Sequence, residues 1–211
     1  GRRDSDWEFG TNPCSEIILR PYQFCNLTEV VVRATDDIES LSRKVRLATI
    51  LGTIQSTYTK FPYLRKVWQR NTEEERLLGV SLTGIMDNPL MTTANKGLEK
   101  TLETLRKLAV DTNTLWADRL GIPASAAITC VKPSGTVSQL VDSASGIHAR
   151  HSKYYIRTVR GDNKDPLTQF MKDQGVPSEP DVMKPDATTV FSFPVQSPTN
   201  AVVTSDLSAI E

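Results

Sequence analysis

Apolar residues recur every three or four positions along two long stretches of the chain, and this period predicts two amphipathic helices. The first stripe follows residues 36–39, which resemble a helix capping box, and Pro62 lies beyond its end. The second stripe predicts a helix over 96–120, because Gly121 and Pro123 then give a stop signal. The stripes consist of Ile38, Leu41, Val45, Ala48, Leu51, Ile54 and Tyr58, and of Leu98, Leu102, Leu105, Ala109, Leu115 and Leu120.

Shorter β-branched or alternating runs predict strands at 30–32, 79–84, 126–131, 153–160 and 188–195. A further short helix is predicted over 166–174, before Gly175. The three glutamates at 73–75 favour a helix that starts at 71, with the acidic side chains in a solvated first turn rather than a metal site. The alternation of strands and helices predicts an α/β architecture with parallel strands.

Composition narrows the class of protein. The 211 residues carry 25 basic and 25 acidic side chains, and 38% are apolar, as in an ordinary soluble globular protein. Zero net charge argues against a nucleic-acid-binding surface over the whole chain, and the sequence shows neither a membrane span nor a secretory signal. Three cysteines do not make a disulfide scaffold. A chain from Gly1 to Glu211 without an initial Met suggests a piece of a longer protein.

The loop at residues 12–16 is the first candidate for chemistry. In an extended loop, residues two apart project to the same side, so Asn12, Cys14 and Glu16 are expected to face one site. They offer an amide, a sulfur and a proton acceptor, which suits chemistry on a polyol.

The other cysteines and the histidines leave several alternatives open. Cys25 could form a redox dithiol with Cys14, contribute to a metal site, or be an unrelated buried thiol. Cys130 lies in a predicted strand and is interpreted as a core residue. His148 and His151 are interpreted as solvent-facing or substrate-neighbouring, and no metal site is assigned.

A turn after the predicted strand 126–131 is the second candidate site. Lys132 and Pro133 lead into small and hydroxyl-bearing residues at the start of a predicted helix, where backbone N–H groups can bind an anion. The anion-binding residues would be Ser134, Gly135, Thr136, Val137 and Ser138. The turn lacks the Walker A pattern, so the signal does not indicate a P-loop.

Together these segments resemble the ribonucleotide reductases. Residues 12–16 resemble the finger-loop motif N-x-C-x-E, and Pro13 is typical of the adenosylcobalamin-dependent class II enzymes. The run Y-Q-F-C-N-L-T-E-V at 22–30 is similar to the monomeric ribonucleoside-triphosphate reductases. Further similar segments are R-L-L-G-V-S-L-T-G at 76–84, K-P-S-G-T at 132–136, Y-Y-I-R at 154–157 and F-S-F-P-V at 191–195.

The resemblance implies a fold and a set of roles. The fold would be part of a ten-stranded α/β barrel, with the finger loop at about 11–17, the phosphate-binding turn at about 132–138 and much of the second half-barrel within residues 1–211. Cys14 would carry a thiyl radical that abstracts the ribose 3′-hydrogen, Glu16 would take the 3′-hydroxyl proton, and Asn12 would bind the ribose hydroxyls. Cys25 would be one of two reducing cysteines, the other lying outside this chain because no cysteine precedes Cys14.

The resemblance also implies partners, while alternatives of other classes stay open. The complete enzyme would use adenosylcobalamin, ribonucleoside triphosphates, a thioredoxin-type reductant and deoxynucleotide effectors that bind missing regions, in the cytoplasm of a bacterial or virus-infected bacterial cell. It would bind no membrane and no nucleic acid. One alternative is a class I-type ribonucleoside-diphosphate reductase subunit with a radical from a partner protein. The others are a non-catalytic phosphate-binding module and a thiol oxidoreductase that links Cys14 to Cys25.

Overall fold

The computed structural model describes residues 3–93 and 96–208, and the chain divides into two compact units. One unit comprises Gly1–Ala149 with Asn200–Val202, and the other comprises Arg150–Thr199 with Val203–Glu211. No composition shift or Pro/Gly/Ser-rich linker marks this boundary in the sequence. No helix among the described residues is long and apolar enough to cross a membrane.

A parallel strand pair with its crossover helices forms the centre of the first unit. Strand β3 (Asn26–Val31) pairs with β4 (Leu78–Thr83) from Asn26↔Leu78 to Val31↔Thr83. Helices α1 (Ile38–Gln55) and α2 (Lys66–Glu75) connect them, and α3 (Lys96–Leu120) follows β4. A small β-hairpin precedes this pair, with two strands of two residues each, β1 (Gly10–Thr11) and β2 (Ile18–Leu19). The short helix α4 (Thr136–Leu140) lies later in the chain, after α3.

The segment predicted as a strand over 126–131 extends the parallel pair only in part. Leu78 N donates to Ala127 O at 2.9 Å and Val80 N donates to Ile128 O at 2.8 Å. Cys130 N returns a hydrogen bond to Val80 O at 3.1 Å, and Val80↔Thr129 is a single parallel bridge. The segment therefore runs along β4 as an irregular edge that places residues 130–138 beyond the strand.

The two faces of the strand pair have different environments. One face packs on α1 and α3 through a core that contains Val30, Leu41, Leu78 and Ala109. Gly52 of α1 allows the closest approach, because a Cβ there would lie 3.1 Å from Leu78 Cδ2. The alternate residues Leu27, Glu29, Gly79 and Ser81 define the opposite face, called the site face below.

The predicted helix at residue 38 forms, but its buried stripe differs from the prediction. Leu41, Val45 and Ala48 are buried, whereas Leu51 and Tyr58 are 62% and 74% exposed. Thr49, Gly52 and Thr53 are buried in place of the last three apolar positions. The hydroxyls of the two buried threonines donate hydrogen bonds to the carbonyl oxygens four residues earlier in the helix. The helix can therefore pack small polar residues against its neighbours. The cap is Asp37, whose side chain accepts from Ser40 N.

The interpretation of residues 73–75 as a solvated first turn is wrong. Helix α2 starts at Lys66 and ends at Glu75, so the glutamates occupy its last turn. Glu75 is 2% exposed and accepts hydrogen bonds from Arg3 Nη2 at 2.8 Å and Gln23 Nε2 at 2.6 Å. Tertiary partners therefore override the unfavourable helix dipole, which no local pattern could indicate.

The second unit corrects the expectation of parallel strands throughout. Strand β5 (Tyr154–Asp162) pairs antiparallel with β7 (Thr188–Gln196), and β6 (Ser178–Pro180) pairs antiparallel with the other edge of β7. Helix α5 (Pro166–Asp173) connects β5 to β6, as the sequence predicts within one residue at its C-terminal end. Strands β5 and β7 lie where the sequence predicts them, at 153–160 and 188–195, but they pair antiparallel and not parallel.

Candidate active site

The loop between β1 and β2 is closed by the side chain and backbone of Asn12. Asn12 Oδ1 accepts from Ile17 N at 3.1 Å, Asn12 N donates to Ile17 O at 3.3 Å, and Ser15 N donates to Asn12 O at 2.9 Å. Ser15 has a φ of +62°, so the loop is a tight turn instead of the extended segment that the sequence suggested.

This turn gives Cys14 and Glu16 different environments. Cys14 is exposed to solvent, whereas the side chain of Glu16 is 1% exposed. The sequence predicted that these side chains project to one side because residues two apart do so in an extended backbone. The backbone between Cys14 and Glu16 is not extended, so this reason does not apply. The loop therefore presents an accessible thiol next to a sheltered carboxylate.

Glu16 is held by a lysine from the distant turn. Lys132 Nζ lies 3.0 Å from Glu16 Oε1, while Glu16 Oε2 is buried without a hydrogen-bond partner among the described residues. Burial raises the pKa of Glu16, but hydrogen bonds from its own backbone N–H, Lys132 and Asn12, together with the charge of Lys132, lower it below the usual value. Glu16 is thus an ionised carboxylate at neutral pH with one oxygen available to accept a proton.

The second carboxylate on the site face, Glu29, anchors the turn at 132–138. Ser134 Oγ donates to Glu29 Oε2 at 2.9 Å, and Glu29 Oε1 is buried without a partner among the described residues. Gly146 supports the same turn with a φ of +57°, and a Cβ there would lie 3.1 Å from Lys132 O. A side chain at that position would push the turn out of place, so a glycine is required.

The predicted phosphate-binding residues divide into two groups. Ser134 and Ser138 are buried and use their hydroxyls inside the protein, where Ser138 Oγ donates to Gly135 O at 2.7 Å. Gly135, Thr136 and Val137 are exposed at the start of α4. The first N–H groups of a helix have no partner within it, so the donors available to an anion here are backbone groups and the Thr136 hydroxyl.

Cys25 and Cys130 are half-buried free thiols near the site face. Cys130 Sγ and Ile17 Cδ1 each lie 3.1 Å from the position of a Cβ on Gly79, so the hairpin loop and the edge segment meet over that glycine. Burial, the neighbouring Cys130 and the charge of Glu16 raise the pKa of Cys25 to about 12. Burial and the charge of Glu16 raise the pKa of Cys130 to about 11, so both remain neutral thiols at physiological pH. Because Cys130 is only half-buried, it is not the enclosed core residue that the sequence predicted.

The two histidines contact neighbouring residues of their own segments. His148 Nδ1 is 3.0 Å from Ser145 O, and His151 Nδ1 is 2.9 Å from Ser152 Oγ. Within residues 3–93 and 96–208, no group of three or more His, Cys, Asp or Glu side chains could hold a metal ion.

Comparison with known proteins decides the fold. No family model matches the chain. It is 32% identical over 217 aligned residues to the adenosylcobalamin-dependent ribonucleoside-triphosphate reductase of Lactobacillus gasseri, an alignment that covers 89% of this chain and 28% of that protein. A relative of the same name from Euglena gracilis is 29% identical over 96% of this chain and 27% of its own length. A crystal structure of a B12-dependent (class II) ribonucleotide reductase matches 94% of this chain with a TM-score of 0.77 and 27% identity.

The chain is homologous to the class II ribonucleotide reductases. It spans less than a third of the length of these relatives. The match confirms the predicted fold class, an α/β piece of the ribonucleotide reductase barrel. The parallel β3–β4 pair with its helices and the antiparallel second unit are both parts of that class II fold.

Two residues of the candidate site, Lys132 and Glu29, are not indicated by the sequence. Lys132 starts the predicted phosphate-binding turn and Glu29 lies in the run at 22–30, but the sequence alone assigns no role to either side chain. The separations of 116 residues between Glu16 and Lys132 and of 105 between Glu29 and Ser134 exclude any local spacing signal. The only available hint was that both residues are charged and lie in motifs otherwise made of apolar, small and uncharged polar residues.

Proposed function

We propose that this chain supplies the finger loop and the phosphate-binding turn of an adenosylcobalamin-dependent ribonucleoside-triphosphate reductase. One observation carries the proposal: an exposed cysteine adjoins a buried, lysine-paired carboxylate whose second oxygen has no partner among the described residues. In a homologue of class II enzymes, this pairing is what radical abstraction from a ribose needs, a thiol that a radical can reach and a base next to it.

Cys14 would act as the radical carrier. Its exposure at the tip of a closed turn fits a cofactor that approaches from outside the loop, and the residues that would hold the corrin ring are expected beyond this chain. When bound, adenosylcobalamin supplies an organic radical through homolysis of its cobalt–carbon bond. Cys14 would carry the radical as a thiyl, and it would become a thiol again when it takes the 3′-hydrogen atom from the ribose.

Glu16 and Asn12 would act on the ribose hydroxyls. Glu16 is ionised, and its Oε2, which is buried without a hydrogen-bond partner among the described residues, would accept the 3′-hydroxyl proton. Asn12 already uses Oδ1 to close the loop, which leaves its amide N–H groups to donate to Glu16 or to a hydroxyl. Removal of the 3′-hydroxyl proton favours departure of the 2′-hydroxyl as water.

Cys25 would provide one of the two reducing thiols. A ribonucleotide and two thiols give a deoxyribonucleotide, water and one disulfide, so the two electrons and the two hydrogens come from the cysteine pair. The raised pKa of Cys25 keeps its proton in place until the reaction, as a hydrogen donor requires. Its partner would lie outside this chain, and a thioredoxin-type protein would reduce the disulfide.

The exposed start of α4 would bind the substrate phosphates. Backbone N–H groups of Gly135, Thr136 and Val137 provide the donors, while Ser134 and Ser138 shape the turn from inside. Deoxynucleotide effectors would act through regions outside the chain. The product would serve DNA replication in the cytoplasm.

The cofactor requirement tests this function. The complete protein that contains this chain is incubated with a dithiol and each ribonucleoside triphosphate or diphosphate, with and without adenosylcobalamin. We expect deoxynucleotides from triphosphates with adenosylcobalamin only, and no activity from the 211-residue chain alone. Reduction that needs a partner protein instead of the cobalamin would indicate a class I-type enzyme. Phosphate binding without reduction, unaffected by Cys14→Ala, would indicate a binding module.

A further inference from the structure

The contact between Glu16 and Lys132 joins the finger loop to the phosphate-binding turn, which share no other hydrogen bond or ion pair among the described residues. Lys132 lies two residues before Ser134, at the start of the phosphate-binding turn, and its ammonium reaches the base of the finger loop at 3.0 Å from Glu16 Oε1. The lysine side chain is 29% exposed and the carboxylate 1%, so the pair is sheltered on one side and open on the other.

The lysine also occupies one oxygen of Glu16 and leaves the other without a partner among the described residues. Oε1 accepts from Nζ, while Oε2 is buried and has no partner within the described residues. A buried carboxylate oxygen without a partner is costly, and a ligand hydroxyl is the kind of group that would satisfy it. A turn of the carboxylate plane away from the ammonium would break this charge-assisted hydrogen bond, so Lys132 holds the orientation of the group and leaves one of its two oxygens without a partner.

We propose that Lys132 is the positioning residue of this site, which keeps Glu16 ionised with Oε2 toward the ribose and couples the finger loop to the phosphate-binding turn. The proposal rests on the proposed function for the identity of the ligand. Lys132 acts through Glu16 and is not assigned any contact with substrate.

Other titratable groups around the pair do not account for the expected change in the pKa of Glu16. Glu29 and Cys14 contribute only smaller increases to the pKa of Lys132. Cys25 and Cys130 are the thiols whose pKa values the charge of Glu16 raises. The two thiols, with pKa values of about 12 and about 11, stay neutral below pH 9. The hydrogen bond to Glu16 is the largest cause of the raised pKa of Lys132, so the lysine keeps its charge over the whole range in which Glu16 titrates.

The sign of the expected pH effect follows from the ion pair. Lys132 lowers the pKa of Glu16, so its loss raises that pKa and protonates the base at a higher pH. In the complete enzyme, Lys132→Met should lower kcat by about 10-fold to 100-fold at neutral pH and move the acid limb of the kcat profile to higher pH. Lys132→Arg keeps the charge and should retain the position of the limb.

The experiment combines these profiles with a readout that needs no catalysis. The Glu16 carboxyl of the complete protein is titrated by 13C NMR and assigned by its loss in Glu16→Gln. Its pKa should rise in Lys132→Met and stay close to the original value in Lys132→Arg. Lys44→Met is the matched control, because it removes a lysine–carboxylate pair with Asp36 away from the site and should change neither quantity.

The outcomes distinguish the positioning role of Lys132 from the proposed reductase function. A kcat that falls equally at every pH, or a Glu16 titration that does not move, would overturn the positioning role. A shifted titration in a protein that reduces no nucleotide would keep that role and refute the reductase function. If Lys132→Met does not fold, Lys132→Gln takes its place. In the Glu16→Gln background, the Lys132 substitution should cost little further activity, because the two residues act as one unit.

Discussion

Replacement of Cys14 with alanine should abolish nucleotide reduction by the complete enzyme, with a loss on the order of 10⁴-fold or more. No other group in the finger loop can carry a hydrogen-abstracting radical, and the remaining two thiols, Cys25 and Cys130, lie outside that loop and are half-buried. The Cys14 side chain is exposed, so its truncation leaves no cavity and should not change the stability of the fold. The measurement is deoxynucleotide formed per enzyme with adenosylcobalamin and a dithiol.

Cys130→Ala is the matched control for this loss. Cys130 lies over Gly79 near the same loop, but no role in the reaction is assigned to it. Its replacement should leave the rate within about a factor of ten, since only packing changes. Substantial formation of deoxynucleotide by Cys14→Ala, or an equal loss of activity in Cys130→Ala, would contradict the assignment of the radical to Cys14.

Glu16→Gln should lower kcat by about 10²-fold to 10⁴-fold, the usual contribution of a general base. Glutamine has the same shape and can still accept from Lys132, so the loop geometry should persist while the proton acceptor is lost. The acid limb of the kcat profile should disappear in this variant, because the group that titrates there has been removed. Steady-state rates across the acidic range measure both effects.

Glu103→Gln provides the corresponding control on α3. Glu103 is also ion-paired, to Arg106, but its side chain is 59% exposed and no role in the reaction is assigned to it. Its replacement should change kcat by less than about a factor of two, as exposed ion pairs contribute little. Retention of the wild-type profile in Glu16→Gln would show that another group takes the proton.

The local elements could be predicted where a pattern is repeated and has clear ends. Helix α3 occupies Lys96–Leu120 as its apolar period and the Gly121 stop predicted, and Gly121 has the left-handed φ of +65° that such a stop requires. Strand β4 lies within one residue of its predicted ends, since Gly79 and Gly84 frame a buried run. These signals depend on neighbours in the sequence, which is why they succeed.

Features that depend on distant partners could not be predicted from spacing. The last turn of α2 is acidic because Arg3, Arg20 and Gln23 surround Glu75, and these residues lie 52 to 72 positions away. The strand pairing in the second unit depends on β7, which follows both of its neighbours in the chain. A propensity-based prediction sees neither contact.

The same division applies to the candidate site. The loop and the turn were predicted from their residue types and from family resemblance, and both proposed roles await experiment. The internal hydrogen bonds of Ser134 and Ser138 remove these two hydroxyls from the expected anion donors and leave the predicted backbone N–H groups with the Thr136 hydroxyl. The site face explains why these segments meet: the helices cover one side of the strands, so the polar residues of the loops gather on the other.

The state of the three cysteines after one turnover tests the central claim most directly. The complete, reduced enzyme is given adenosylcobalamin and one equivalent of ribonucleoside triphosphate without external reductant, then quenched with a thiol-alkylating reagent and mapped by mass spectrometry. The account predicts that Cys25 is in a disulfide with a cysteine outside this chain, while Cys14 and Cys130 are recovered as free thiols. A Cys14–Cys25 disulfide, or a reduced Cys25 after deoxynucleotide has formed, would contradict it.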